Sequence, residues 1–233
     1  MYQIKFNLHS YWRAGTGRGG GSILDEVVHK DTYGLPCLPG RTVKGLLRDA
    51  VYRAEKWGHV AENTTINWFG SDSLEPNETE TLLETEPLPK GETETRLETE
   101  PGALGVSDAR LDEELRNYFI SLLTNERKDL IKEGKLLCQE FFHQIHATSI
   151  DHKTGSAEDK SLRGMEVTIP LTLTATLYEL QPAKLIENWH QELKKCLPLI
   201  RAVGTSRSRG LGRVTVEIEK FPQAPLCERE EMP

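Results

Sequence analysis

Six apolar residues, Val43, Leu46, Leu47, Ala50, Val51 and Ala54, fall at i, i+3, i+4, i+7, i+8 and i+11. That spacing predicts a helix over 42–57 with a complete buried stripe along one side. Pro39-Gly40 makes the turn before it, and Thr42 reads as its N-cap.

Other periodicities set the elements that flank this helix. Alternating apolar residues predict a strand at about 2–12, followed by a glycine-rich loop to about 22, and a further strand is expected near 103–110. A helix is expected at about 112–131, with Leu115, Tyr118, Phe119, Leu122 and Leu123 inside. A polar excursion covers about 146–165. A long strand at 166–179 then puts Val167, Ile169, Leu171, Leu173, Ala175 and Leu177 on one face and threonines mostly on the other. A helix at about 183–197 buries Leu185, Ile186, Trp189, Leu193, Cys196 and Leu197, and the last strand is 213–219. Strand, helix, strands, helix, strand is the order of an α+β, ferredoxin-like (RNA-recognition-motif-like) core with large insertions. The last strand carries no aromatic on which a base would stack, so any nucleic acid is expected at loops and helix ends.

Two segments far apart in the chain offer cations of the kind that hold a phosphate backbone. Arg41, Lys44 and Arg48 stand at i, i+3 and i+7 on the first helix, off its apolar stripe. Helix amides and the positive dipole end would add to them. Taken alone, the same pattern is equally a solvated basic face. Near the end of the chain, Gly204-Thr-Ser-Arg-Ser-Arg-Gly-Leu-Gly-Arg213 contains Arg207, Arg209 and Arg213, follows Arg201 closely, and has no acid. Its glycines Gly204, Gly210 and Gly212 are expected to let backbone amides approach a phosphate, and arginine forks bind two phosphate oxygens at once.

The formal charge of the 233 residues is −7, which argues against a nucleic-acid partner until its distribution is considered. Residues 71–101 hold ten of the 36 acids and two of the 29 bases, leaving 27 bases against 26 acids elsewhere. The body is thus neutral with basic clusters, which RNA binding permits. Within the acidic stretch, residues 78–87 recur at 92–101 with one difference. So much like charge with so few apolar residues reads as a low-complexity surface insertion.

Cys37, Cys138, Cys196 and Cys227 form no Cys-x-x-Cys pair, against a disulfide framework. His143 and His146 with Cys138 lack a clear fourth zinc ligand and read as partly buried histidines among Phe141, Phe142 and Ile145. Gly15, Gly17 and Gly20 satisfy G-x-G-x-x-G, but Pro36 and Pro39 follow where a dinucleotide site needs its helix. Nothing resembles a signal peptide or membrane span, and the cytoplasm is the expected location.

Pro39-Gly40, Lys44-Gly45 and Arg48, with the glycine-rich loop Gly204–Arg213, resemble the signature elements of the RAMP superfamily (repeat-associated mysterious proteins). The likeness is to the CRISPR-associated protein 7-like backbone subunits of type III effector complexes. Intermediate landmarks agree in order: Trp68-Phe69-Gly70, Gly105-Val-Ser-Asp-Ala-Arg110, Thr148-Ser-Ile-Asp-His-Lys-Thr-Gly155, then Leu162, Arg163 and Glu166. The resemblance implies one domain over 1–220, a tail over 221–233, and a thumb-like role for the 146–165 excursion, with His152 and Lys153 as RNA contacts.

It also implies the partners, which are guide RNA, target RNA, similar subunits and a large subunit. In nucleolytic members a loop resembling Asp-Asn-Pro-Val-Ile-Arg-Asp precedes the proline-glycine turn, and its first aspartate is required for target cleavage. Here Asp25-Glu-Val-Val-His-Lys-Asp31 stands in that place, departing at Glu26, Val27, His29 and Lys30. The resemblance thus assigns catalysis to Asp25, with Mg²⁺ or another divalent cation held jointly with RNA phosphate. His9 or His29 would be suited to proton transfer. Read from residues alone, Asp25 is better explained as capping a turn, and the catalytic role is what the resemblance implies. The alternatives are a non-catalytic subunit of such a complex, a guide-processing endonuclease of the superfamily that needs a histidine and no metal, and a protein that binds no RNA.

Overall fold

A computed structural model describes residues 1–17, 26–71 and 100–221. Asp25, Gly20, the acidic repeat, Cys227 and nearly all of the tail lie outside the described residues. The architecture is mixed α+β around an antiparallel sheet.

Strand β1 (Tyr2–Leu8) is the centre of that sheet. It pairs antiparallel with β7 (Thr172–Glu179) on one side and β8 (Val214–Lys220) on the other. Beyond β7 come the short strands β3 (Leu104–Val106) and β4 (Ala109–Arg110), and β2 (Cys37–Leu38) completes the edge on β4. The register sets Ile4 opposite both Ala175 and Ile218, and Phe6 opposite both Leu173 and Val216. Every second residue of the three long strands therefore points to one face, and Ile4, Phe6, Leu173 and Leu177 are wholly buried there. The other face is polar: Lys5 pairs with Glu219 at 2.6 Å, and the Thr172 hydroxyl donates to Asn7 at 3.0 Å.

Helix α1 (Gly40–Lys56) and helix α5 (Trp189–Cys196) pack together over the apolar face. Val43, Leu47, Ala50, Val51 and Ala54 of α1 are buried as its spacing predicts, while Leu46 is half-buried. The short helix α2 (Thr64–Phe69) adds Trp68, which meets Trp189 edge-on at 6.3 Å. Below α2, the two ends of the acidic stretch are pinned together. Gly70 and Pro101 form a β-bridge, and Ser71 and Glu100 exchange hydrogen bonds of 3.1 and 2.8 Å. An insertion whose ends meet in this way leaves the core connection short.

Several elements differ from expectation. The long strand 166–179 is two strands in two sheets: β6 (Arg163–Thr168) pairs with β5 (Phe142–Ala147), and β7 pairs with β1. Pro170 stands at the break, where it has no N–H to give a ladder. Strand β1 ends at Leu8 because Trp12 leaves the central sheet to exchange hydrogen bonds with Thr168. The helix at 112–131 is an antiparallel pair, α3 (Glu113–Leu123) and α4 (Lys128–Gln139). Only Phe119 of the expected inward residues is fully buried, and Leu115 and Tyr118 are exposed. Over 183–197 the chain is α-helical only from Trp189, which leaves Ile186 exposed. The polar excursion belongs to the β5–β6 hairpin, so His143 and His146 sit on a strand and are exposed, not partly buried. Cys37, Cys138 and Cys196 are buried free thiols. Burial pushes Cys37 and Cys196 up to about 11, so both are protonated and unreactive near neutrality. Among the described residues no helix is long and apolar enough to cross a membrane.

Candidate nucleic-acid interface

The start of α1 is fixed by the turn between β3 and β4. Gly40 is the first helical residue, and a Cβ there would lie 2.9 Å from the Val106 carbonyl oxygen and 3.0 Å from the Ser107 carbonyl carbon. Only glycine lets the helix sit so close. Asp108 of the same turn accepts the Gly40 N–H at 2.8 Å and pairs with Arg110 at 2.9 Å. Burial disfavours its charge, yet the hydrogen bonds from Gly40 and Arg110 outweigh that and hold its carboxyl below the usual aspartate value. Asp108 therefore caps the helix from outside, and Thr42, expected as the N-cap, is the third helical residue.

This cap changes what α1 offers an anion. The Gly40 N–H goes to Asp108, and the Thr42 and Val43 N–H groups go to the Pro39 carbonyl at 2.8 and 3.0 Å. The expected set of free helix amides is thus mostly spent inside the protein, and α1 contributes side-chain cations instead.

The glycine-rich loop is positioned by contact with the segment after β1. The Gly212 N–H donates to the Tyr11 carbonyl at 2.7 Å, the Thr205 N–H to the Arg13 carbonyl at 3.0 Å, and the Val203 N–H to the Gly212 carbonyl at 2.8 Å. Gly204 (φ +80°) and Gly212 (φ +75°) lie in the left-handed region, and Cβ atoms there would fall 2.1 and 1.9 Å from the carbonyl oxygens of Arg13 and Val203. Two of the three glycines therefore serve close packing within the protein rather than approach to a phosphate. Gly210 (φ +84°) alone faces open space.

These two elements meet. Arg41, Thr42 and Gly45 of α1 face Gly204, Thr205 and Arg207 of the loop across a cleft of about 460 Å³, with Gly15 at its rim. Arg41 and Arg207 are exposed, and their side chains make no hydrogen bond or ion pair among the described residues. Among the described residues the one acid lining the cleft is Asp49, which is paired with Arg53 at 2.9 Å, and Arg53 also donates to the Leu199 carbonyl at 2.9 Å. Arg207 continues into an adjoining depression with Arg201. The result is an open, net cationic trough, suited to an extended polyanion.

Of the other expected contacts, Arg48 lines a neighbouring depression, while Lys44, Arg209, Arg213, Gly210 and Gly212 line none of these. His152 and Lys153 lie in the exposed turn joining β5 to β6, where Asp151 accepts the Lys153 N–H at 2.9 Å and the Thr154 hydroxyl at 2.9 Å. They do not line the cleft of Arg41.

Arg13 was not singled out by the sequence. It is buried, donates from Nε to the Thr205 hydroxyl at 2.7 Å, and forms an ion pair with Glu26. Burial lowers its pKa from the ordinary arginine value, and Glu26 supplies the compensating charge. One side chain thus ties the glycine loop to the segment that follows Asp25. That segment is further held by the β5–β6 hairpin: the Glu166 N–H donates to the Glu26 carbonyl at 3.0 Å, and the Glu166 carboxylate accepts from the Val28 N–H at 3.1 Å and pairs with Lys30 at 2.8 Å. His9 bonds Thr215 at 2.8 Å on the polar face of the sheet, and His29 Nδ1 is buried. An isolated arginine thirteen residues into the chain has no pattern that would have marked it.

A family model described as the RAMP superfamily matches residues 5–215. No curated protein matches the sequence. Among solved structures, a chain of the cryo-EM structure of a type III-B Cmr-beta complex in its apo state is similar. The TM-score is 0.61 at 11% identity, over 94% of this chain and 97% of that one. A chain of the same kind of complex bound to cognate target RNA gives 0.60 at 11% identity, over 93% and 96%. At that identity the likeness is one of fold, and it runs the length of both chains. By the family match over nearly its whole length, the chain belongs to the RAMP superfamily.

Proposed function

We propose that this protein is a guide-RNA-binding backbone subunit of a type III CRISPR effector ribonucleoprotein that cuts the paired target RNA at Asp25. The observation that carries the proposal is the cleft in which Arg41 and Arg207, from opposite ends of the chain, converge. The strand order β8, β1, β7, then β3 and β4, with α1 and α5 on one face, supports a ferredoxin-like core within a single domain over 1–220. The likeness in fold to chains of type III-B complexes supports other subunits of such a complex and a target RNA as partners, and similar subunits and a large subunit are proposed among them. The guide backbone would lie in the trough, and sequence would be read by base pairing, a division of labour familiar in RNA-guided recognition. His152 and Lys153, at the exposed end of the β5–β6 hairpin, would contact the duplex.

Among the described residues a divalent cation has no cage of protein ligands: no three histidine, cysteine or acidic side chains group to hold one, and the Glu26 carboxylate beside Asp25 is engaged by Arg13. Asp25 would share any Mg²⁺ with RNA oxygens. The test is target cleavage by the assembled complex carrying Asp25→Ala. Loss of the cut at this subunit with guide and target binding retained supports the catalytic role. Unchanged cutting leaves a non-catalytic guide-binding subunit, the second reading, which the commitment of Glu26 to Arg13 favours.

A further inference from the structure

The trough along α1 does not end at Gly45. Gly45 and Asp49 are shared with a depression of about 440 Å³ farther along the helix, whose walls include Arg48, Tyr52, Lys56 and Asn63. From Gly45 to Tyr52 the helix advances about 10 Å. The character of the surface changes over that distance. Tyr52 is 49% exposed and Ile66, on α2 opposite, is 42% exposed. The Lys56 ammonium stands 5.3 Å from the centre of the Tyr52 ring. A phosphate gains nothing from an isoleucine or from the face of a tyrosine ring, and only the tyrosine hydroxyl could serve it. A nucleobase gains an apolar surface on which to stack, with cations beside it for its phosphate.

The polar groups of the same depression point the same way. Glu55 accepts the Asn63 N–H at 2.9 Å, the Thr65 N–H at 2.9 Å and the Thr65 hydroxyl at 2.6 Å, so Glu55 and Thr65 are committed to each other and hold the start of α2 in place. The Asn63 backbone is left-handed (φ 63°), and its side-chain amide makes no hydrogen bond among the described residues. That amide has both a donor and an acceptor to present to a base edge.

We infer that this depression receives the base of an unpaired RNA nucleotide, stacked on Tyr52 with its edge toward Asn63 and its phosphate toward Arg48 and Lys56. The inference rests on the reading of the trough as an RNA-backbone site. A duplex is excluded from such a pocket because its base faces are already stacked and its edges already paired.

The test uses the full chain with a short single-stranded RNA carrying 2-aminopurine, and with the same strand in a duplex. Binding of the single strand quenches the probe. Tyr52→Ala abolishes the quenching and weakens single-strand binding about 5- to 100-fold, with less than about a twofold change for the duplex. Tyr52→Phe preserves both. Arg41→Ala weakens single strand and duplex alike and keeps the quenching of whatever is bound. If Arg41→Ala weakens binding but Tyr52→Ala leaves affinity and quenching as they were, the base pocket is wrong and the RNA reading stands. Equal weakening of single strand and duplex by Tyr52→Ala also overturns the pocket. If neither substitution changes binding, the RNA reading itself fails.

Discussion

The two halves of the trough are built by opposite means. On α1, five buried apolar residues in helical register pack one side against the sheet and so fix where Arg41 stands. In the loop, a 3₁₀ turn over Arg207–Arg209 contributes no buried residue, and position is set by backbone hydrogen bonds to Tyr11 and Arg13 at glycines that admit no side chain. A helix can place a cation by packing, whereas a loop without a core must place it by backbone contact. The helix should therefore lose its site through its apolar stripe, and the loop through single methyl groups.

The strongest way to break that contrast is Gly212→Ala. The residue is left-handed and its new methyl would fall 1.9 Å from a backbone oxygen, so a loss of about 4 kcal/mol or more is expected in urea unfolding. Gly210→Ala, also left-handed but in open space, should cost about 1 kcal/mol. Equal losses would mean that close packing does not set the loop. On the helix side, Leu47→Ala removes a wholly buried side chain and should cost about 3 kcal/mol in the same measurement.

What the sequence could reveal follows the same division. Helix α1, β1, β7 and β8 have one wet and one buried face, so their periodicity is written in the residue types, and the acidic repeat is unmistakable as composition. Strand β5 escaped notice because Phe142–Ala147 is buried fully on neither face and shows no alternation. The join of β6 to β7 was misread because the apolar alternation runs on through Ile169 and Leu171, although Pro170 between them forbids a continuous ladder. Arg41 and Arg207 were legible as cations, but their meeting depends on the sheet placing the end of β1 beside the start of β8. The reason for the glycines of 204–212 was not legible, since a glycine needed for a ligand and one needed for a neighbouring carbonyl are the same letter. Arg13 is the cost of that blindness: its work is to join Thr205 to Glu26, which no local pattern can express.

If both halves hold one RNA backbone, each arginine neutralises about one phosphate. Arg41→Ala and Arg207→Ala should each lower the slope of log affinity against log salt by about 1. Lys44→Ala, which removes a cation of the same helix outside the cleft, should leave the slope near its original value. A drop with Lys44→Ala equal to that with Arg41→Ala would spread the site over the whole basic face and dissolve the distinction between cleft and surface.

The smallest effect expected tests the one place where the helix also depends on a backbone contact. Asp108 caps α1 from the β3–β4 turn, and Asp108→Ala should cost about 1 kcal/mol. Its folded pKa is depressed, so its charge stabilises the fold fully above the unfolded aspartate value of about 3.9, and that stabilisation is lost as pH falls through the lower folded value. Asp108→Asn keeps an acceptor for Gly40 but not the charge facing Arg110. The stability gap between the wild type and Asp108→Asn should be constant from about pH 5 upward and close below about pH 4. A gap that persists into acid would mean that Asp108 acts by shape, and that the helix end, like the loop, is held by fit alone.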